Sequence, residues 1–419
     1  MNIDRGARRV DLDPRDPAFF SNPYPFYARI REAVPVFHWQ QYGHWCLARH
    51  EDVSAALRDP RFGRQILHVA SREQLGWPPP SPRLAAFDAV ERHSLLELEP
   101  PDHTRLRGLV NRAFVSRRIE HLRPAISMLS HRLIDAFAGE VDLLAAFATP
   151  IPVLIIADLL GVGREHAPQL LDWSARMVAM YQFRRSAMIE DSAVLATRAF
   201  VALLRRTMAA RRRAPRDDLI SALLAVEGLA EAELISTAIL LLNAGHEATV
   251  HTIGNGARAL LESGIDAAAC FATPDSTRRT VEEMLRFDPP LHLFTRFALA
   301  DFSWRGLKLE QGEKIGLLLA AANRDPARFE NPGRFDPARD PNPHVSFGAG
   351  IHFCLGAPLA RLELEVALPI LFRRLPKLQL QGEAQWQDAY HFRRMAQLPL
   401  QSGLQHRARA TDAEPATGP

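Results

Sequence analysis

The sequence predicts a mainly α-helical chain with small β-sheets set to one side, an α+β fold built as one large domain. Three observations predict it. Apolar residues recur at helical spacing through most of the middle of the chain. The stretch from Glu231 to Ser263 is nearly unbroken apolar sequence, which as one helix would run about 50 Å at 1.5 Å per residue. Short extended runs, His44 to Leu47 and Lys314 to Leu318, have the length of strands in small sheets.

In chain order, residues 1–10 and 404–419 lack a periodic apolar pattern and are expected to be flexible tails around a single domain, 11–403. The segment from Gly63 to Ser81 carries three consecutive prolines after Trp77. These lack amide donors and restrict their predecessors, so a covering loop is expected there. Pro100-Pro-Asp-His103-Thr-Arg-Leu-Arg107 opens a helix whose Leu106, Leu109, Val110 and Phe114 face inward, with His103 and Arg107 one turn apart on one face. The most membrane-like run, Leu143 to Ile156, is too short to span a bilayer and is interrupted by Pro150 and Pro152.

Composition narrows the function. With 51 basic and 48 acidic side chains and a net charge of +3, the chain lacks the field of a nucleic-acid binder. Apolar residues at 47% and charged residues at 24% fit a globular protein rather than a disordered one. The start has no signal-peptide core, and Cys46, Cys270 and Cys354 are few, odd in number and far apart. A cytoplasmic monomer without membrane anchor or disulfide framework is expected.

The strongest local signal is Phe347-Gly348-Ala-Gly-Ile-His352-Phe-Cys354-Leu-Gly356, followed by a helical stripe at Leu355, Leu359, Leu362, Val366 and Ile370. A glycine-rich loop lets backbone approach a flat ligand. The amides at a helix start bond sulfur, and the helix dipole lowers a thiol's pKa. A free cysteine is ordinarily a small core residue. Here, with no neighbouring cysteine to make a zinc or iron–sulfur spacing, a single thiolate points to axial ligation of haem.

This string closely resembles the haem-binding loop of the cytochromes P-450, and segments from Pro100 to Gly356 match that family's pattern. The resemblance implies the cytochrome P-450 fold, with haem b between the long distal helix and the proximal helix after the cysteine loop. It makes Cys354 the iron ligand and sets Phe347, Gly348, Gly356 and Ala244 against the haem. His103, Arg107, Arg296 and His352 are expected at its propionates. Glu283-Met-Leu-Arg286 is similar to the family's Glu-x-x-Arg helix, and the loop Pro332-Gly-Arg334-Phe335 to the one that gives that glutamate a second arginine.

Within the long helix, Ala244-Gly245-His-Glu247-Ala248-Thr249 resembles the oxygen-binding turn. Gly245 costs roughly 1 kcal/mol relative to alanine in a helix, and a buried Glu247 needs partners, so function would explain both. Glu247 is the expected entry of a proton relay. The common pattern has threonine directly after the acid, whereas this chain has Ala248 and only then Thr249, about 100° further round the helix. A water or a substrate hydroxyl is therefore expected to complete the relay.

The function implied is a haem-thiolate monooxygenase that uses O2 and two electrons to hydroxylate or epoxidise an apolar small molecule such as a terpenoid, steroid, fatty acid or polyketide. With no flavin or iron–sulfur module in the chain, electrons are expected from NAD(P)H through a ferredoxin reductase and a ferredoxin, docking near arginines 105, 112, 117, 118 and 361. The expected pocket comprises the loop from Gly63 to Ser81, the region Met177 to Phe183, Leu240, Leu241, Ala244, Leu291, Leu293, Phe294 and Met395. Arg184, Arg185, Arg393 or Arg394 are candidate anchors for a carboxylate. A peroxide-driven peroxygenase and a non-catalytic haem sensor are the rival readings.

Overall fold

The structure, a computed structural model, describes residues 1–114, 116–182 and 185–404, without the side chains of Ser116 and Arg117. The Arg117 side chain, Phe183, Arg184 and the tail after Leu404 therefore lie outside the described residues.

The unbroken apolar stretch folds as expected into a helix over Glu231–Ser263, the axis about which the other helices pack. At its start the Glu233 carboxylate accepts a hydrogen bond from the Ala230 amide (3.0 Å), and at its end Gly264 adopts a left-handed φ of 67°. Among the helices that lie against it are Pro150–Leu160, Pro274–Phe287 and Ala357–Arg374. Ile151, Ile155 and Ile156 of the first are buried within the large core cluster, which is why the run around them is so apolar. No described helix is long and apolar enough to cross a membrane.

Among the described residues the strands gather into one seven-stranded sheet and three smaller ones. The large sheet runs Asn2–Asp4, Arg9–Asp11, Val36–Trp39, His44–Leu47, Lys314–Leu318, Leu293–Ala298, Phe62–Gly63. Both expected strands appear with their expected bounds and pair in parallel, Ile315 opposite Trp45. This sheet carries its own aromatic core around Phe19, Tyr27, Phe37 and Trp39. The segment 63–81 contains no helix, in line with its prolines.

One expectation fails here. Residues 1–10 are not a loose tail. Asn2–Asp4 and Arg9–Asp11 form an antiparallel hairpin whose second strand runs parallel along Val36–Trp39. Val10 is fully buried, and the Trp39 indole donates to the Leu12 carbonyl at 2.7 Å. Each strand is only three residues long and flanked by charges, too short for an alternating pattern to show in sequence.

Candidate active site

The cysteine loop is shaped by its backbone. The Cys354 amide donates to the Phe347 carbonyl (2.9 Å), closing the turn, with Gly348 at φ 68° and Gly350 at φ 71°. A Cβ on Gly350 would lie 2.5 Å from the Leu57 carbonyl oxygen, so only glycine fits. Arg107 reaches over from the helix Asp102–Ala113 to donate to the carbonyls of Ile351 (3.3 Å) and Phe353 (2.7 Å), bracing the loop. The chain then enters the helix Ala357–Arg374 with Pro358 in its first turn.

Cys354 Sγ meets opposing influences. Burial pushes the thiol up, while the Gly356 amide, the Arg107 charge and the Ala357 amide pull it down. Burial outweighs them, while the two amides act in the direction expected of a helix start. A thiolate at this position calls for a cation bound directly to it.

A cavity of about 670 Å³ opens in front of this sulfur. The cysteine loop contributes Phe347, Gly348, Cys354 and Gly356 to its wall, and the long helix contributes Leu240, Leu241, Ala244, Gly245, Glu247, Ala248 and Thr249. Leu291, Leu293 and Phe294 close another side, as expected. Gly245 has a second reason to be glycine, since a Cβ there would lie 2.3 Å from Ile156 Cδ1 of the neighbouring helix.

Arg107, Arg296 and His352 border the same cavity. Arg296 is buried with no carboxylate in ion-pair reach among the described residues, and burial, aided by Arg64, brings its pKa down to about 9. The His352 ring lies 4.5 Å from that of His103, and His352 Nε2 bonds Glu99 at 3.0 Å. Both ring nitrogens of His103 are buried without a partner. Cations and hydrogen-bond donors with so few acceptors suit a ligand that brings its own carboxylates. A sulfur facing an apolar slot with this edge fits an iron porphyrin with propionates.

On the long helix, the Glu247 carboxylate is tightly held by the Arg394 guanidinium, with His251 Nε2 at 3.5 Å and His246 Nε2 at 3.6 Å. Thr249 lies near enough to the carboxyl of Glu363, on the helix after the cysteine loop, to favour its ionised form. Glu363 is fully buried and lines the cavity, its Oε1 has no partner, and burial raises it well above the ordinary carboxylate value. Sequence reasoning missed Glu363. The available signal was a lone acid inside the apolar run Leu362-Glu363-Leu364.

Other expectations need correction. Glu283 and Arg286 form the expected buried pair, at 2.6 Å. However, the second arginine on Glu283 is Arg339, at 3.2 Å, and not Arg334. Arg334 is exposed and offers only its carbonyl, to Arg286, because Phe335 takes the inward position beside it. Met395 is buried against the long helix near Gly254 instead of in the cavity wall, whose edge is formed by His391 and Phe392. Of the loop from Gly63 to Ser81 only Arg64 borders the cavity, and of the next expected segment Val178, Tyr181 and Gln182 do. Arg185, Arg393 and Arg394 are engaged by Glu190, Asp288 and Glu247.

These features suit a class of helical proteins in which an iron porphyrin would lie between two helices, with one cysteine placed to ligate it. The cytochrome P-450 family model matches residues 276–400. The polyketide biosynthesis cytochrome P-450 PksS of Bacillus subtilis is 36% identical over 94% of this chain and 98% of its own. Cytochrome P-450 monooxygenase PikC of Streptomyces venezuelae is 35% identical over 93% and 94%. A crystal structure of cytochrome P-450 BioI with acyl carrier protein ligated to hexadec-9Z-enoic acid superposes with a TM-score of 0.86 at 35% identity, covering 92% of this chain and 100% of that one. The chain belongs to the cytochrome P-450 family and is a P-450 monooxygenase, using haem and O2.

Proposed function

We propose that the protein oxygenates an apolar small molecule held in the 670 Å³ cavity, with Cys354 as iron ligand and Glu247 as proton entry. The observation that carries this reading is the single cavity bordered by Cys354 on one side and by Glu247, Ala248 and Thr249 on the other. The bound haem supplies reductive activation of O2 when it receives electrons. His103, Arg107, Arg296 and His352 hold its propionates, Arg107 also fixing the loop that presents the sulfur. The aliphatic wall of Leu240, Leu241, Leu291 and Leu293 binds the substrate and excludes water from it.

Protons reach the cavity through Glu247. Its partner Arg394 is about one-fifth exposed at the side chain, so the pair connects the buried carboxylate with the surface. Ala248 leaves space where a hydroxyl would stand, and Thr249 stands beside the Glu363 carboxyl, so a water or substrate hydroxyl passes the proton on. Electrons come from NAD(P)H through a ferredoxin and its reductase in the cytoplasm. Arg105, Arg118 and Arg361 already pair with Glu233, Asp217 and Glu282, which among the described side chains of the expected docking group leaves exposed Arg112 as the freest cation.

Kinetics of substituted proteins test the relay. Glu247→Gln is expected to lower product formation about 100-fold, the scale of a lost proton donor, with substrate affinity unchanged. Ala248→Thr is expected to raise the yield of product per electron pair, and Thr249→Ala to leave it unchanged. The opposite pair of results would remove the water-completed relay.

A further inference from the structure

We propose that the substrate carries a carboxylate at one end, bound at the cavity mouth by Lys314 with a hydrogen bond from His391. The inference deepens the monooxygenase reading above and rests on it.

It follows from which charges on the cavity wall have partners. Among the acids, Glu247 is paired with Arg394, Glu363 is fully buried with its carboxyl pushed toward the neutral form, and Glu91 accepts the Tyr181 hydroxyl at 2.7 Å. Among the bases, Arg107, Arg296 and His352 belong to the porphyrin edge, and Arg64 is paired with Glu97 at 2.5 Å. Lys314 remains. Among the described residues no carboxylate lies within ion-pair distance of its Nζ, which sits 5.1 Å from the Phe297 ring. Neighbouring Glu313 instead accepts the Glu310 amide at 2.9 Å. Lys314 is exposed and borders both the main cavity and a smaller recess of about 350 Å³, which marks it as a residue of the mouth.

His391 supplies an independent observation. It borders the same cavity, and its Nε2 is buried without a partner. Its φ of 130° is one that a residue with a side chain rarely adopts, and the bond from the His292 amide to its carbonyl (2.8 Å) holds it there. Strain of this kind persists where a side chain must be aimed. Burial, then the charges of His44, Arg64 and Lys314, bring its pKa down to about 4, so at neutral pH it offers an N–H and not a second charge.

An ammonium and a neutral donor on the wall of one cavity match a carboxylate, which accepts from both. A cationic substrate would be repelled, and an uncharged one would leave Lys314 unmatched. The substrate class is thus an apolar acid, its chain or rings against the leucines and its carboxylate at the mouth.

Calorimetric titration of the haem-loaded protein with dodecanoic acid, methyl dodecanoate and dodecylamine tests this. The acid is expected to bind at least about tenfold more tightly than the ester or the amine. Lys314→Met should bring the acid down to the affinity of the ester, which itself moves less than about twofold, and His391→Phe should weaken the acid alone. Equal affinities for acid and ester, no binding of the acid, or an acid preference that survives Lys314→Met would overturn the proposal. A protein that shows the thiolate carbonyl spectrum but no acid preference refutes only this inference, whereas one without that spectrum refutes the monooxygenase reading.

Discussion

At the scale of single residues, the most costly interactions are the buried charges. Glu283 and Arg286 are both fully buried, and Glu283 also accepts from the Asp336 amide, Arg339 and Asn342. Removing one member strands the other. Glu283→Ala is expected to destabilise the fold by about 3–5 kcal/mol, measurable as a large drop in thermal midpoint, because Arg286 keeps its charge without a counterion. A midpoint within a degree or two of the parent would mean that the backbone carbonyls around Arg286 suffice. The pair was legible in sequence only through resemblance, since a glutamate three residues before an arginine is ordinarily a surface pair. The choice of Arg339 over Arg334 was not legible, because it depends on how the loop turns around Phe335.

At the scale of elements, legibility followed length and periodicity. The helix Glu231–Ser263 and the strands His44–Leu47 and Lys314–Leu318 were read with correct bounds, each having a continuous apolar pattern bounded by polar residues. The cysteine loop was read because glycine and cysteine have few competing reasons to stand together. Contacts between elements far apart in sequence were not readable: Thr249 with Glu363, Glu247 with Arg394, and the N-terminal hairpin with Val36–Trp39. Deleting residues 1–11 is expected to cost at least the burial of Val10, about 1.5–3 kcal/mol, and to lower the urea midpoint. An unchanged midpoint would return those residues to the status of a tail.

At the scale of the whole molecule, buried histidines set the response to acid. Burial lowers the pKa values of His246, His251 and His292 to about 4. In the unfolded chain they titrate near 6.5. Below that pH the unfolded state takes up protons that the folded state refuses, so stability falls as pH drops from about 6.5 to about 4. Each histidine costs up to about 1.4 kcal/mol per pH unit. Glu282 adds to the loss further down. Burial raises it, but hydrogen bonds from Arg361 and His344 hold it to about 2, so its contribution vanishes between about pH 4.5 and 2. Urea midpoints measured from pH 8 to 4 should stay level above about pH 7 and then decline; a flat profile to pH 4 would show that these histidines are solvated.

Fold, cavity and the unpaired cations around it converge on one bond, from Cys354 Sγ to the iron of a porphyrin. The most direct measurement is the absorption spectrum of the purified, dithionite-reduced protein under carbon monoxide. The parent protein is expected to give the red-shifted Soret band of a thiolate-bound ferrous carbonyl, and Cys354→His to bind haem without that band. A parent spectrum typical of a histidine-ligated carbonyl, or the shifted band persisting in Cys354→His, would contradict the assignment.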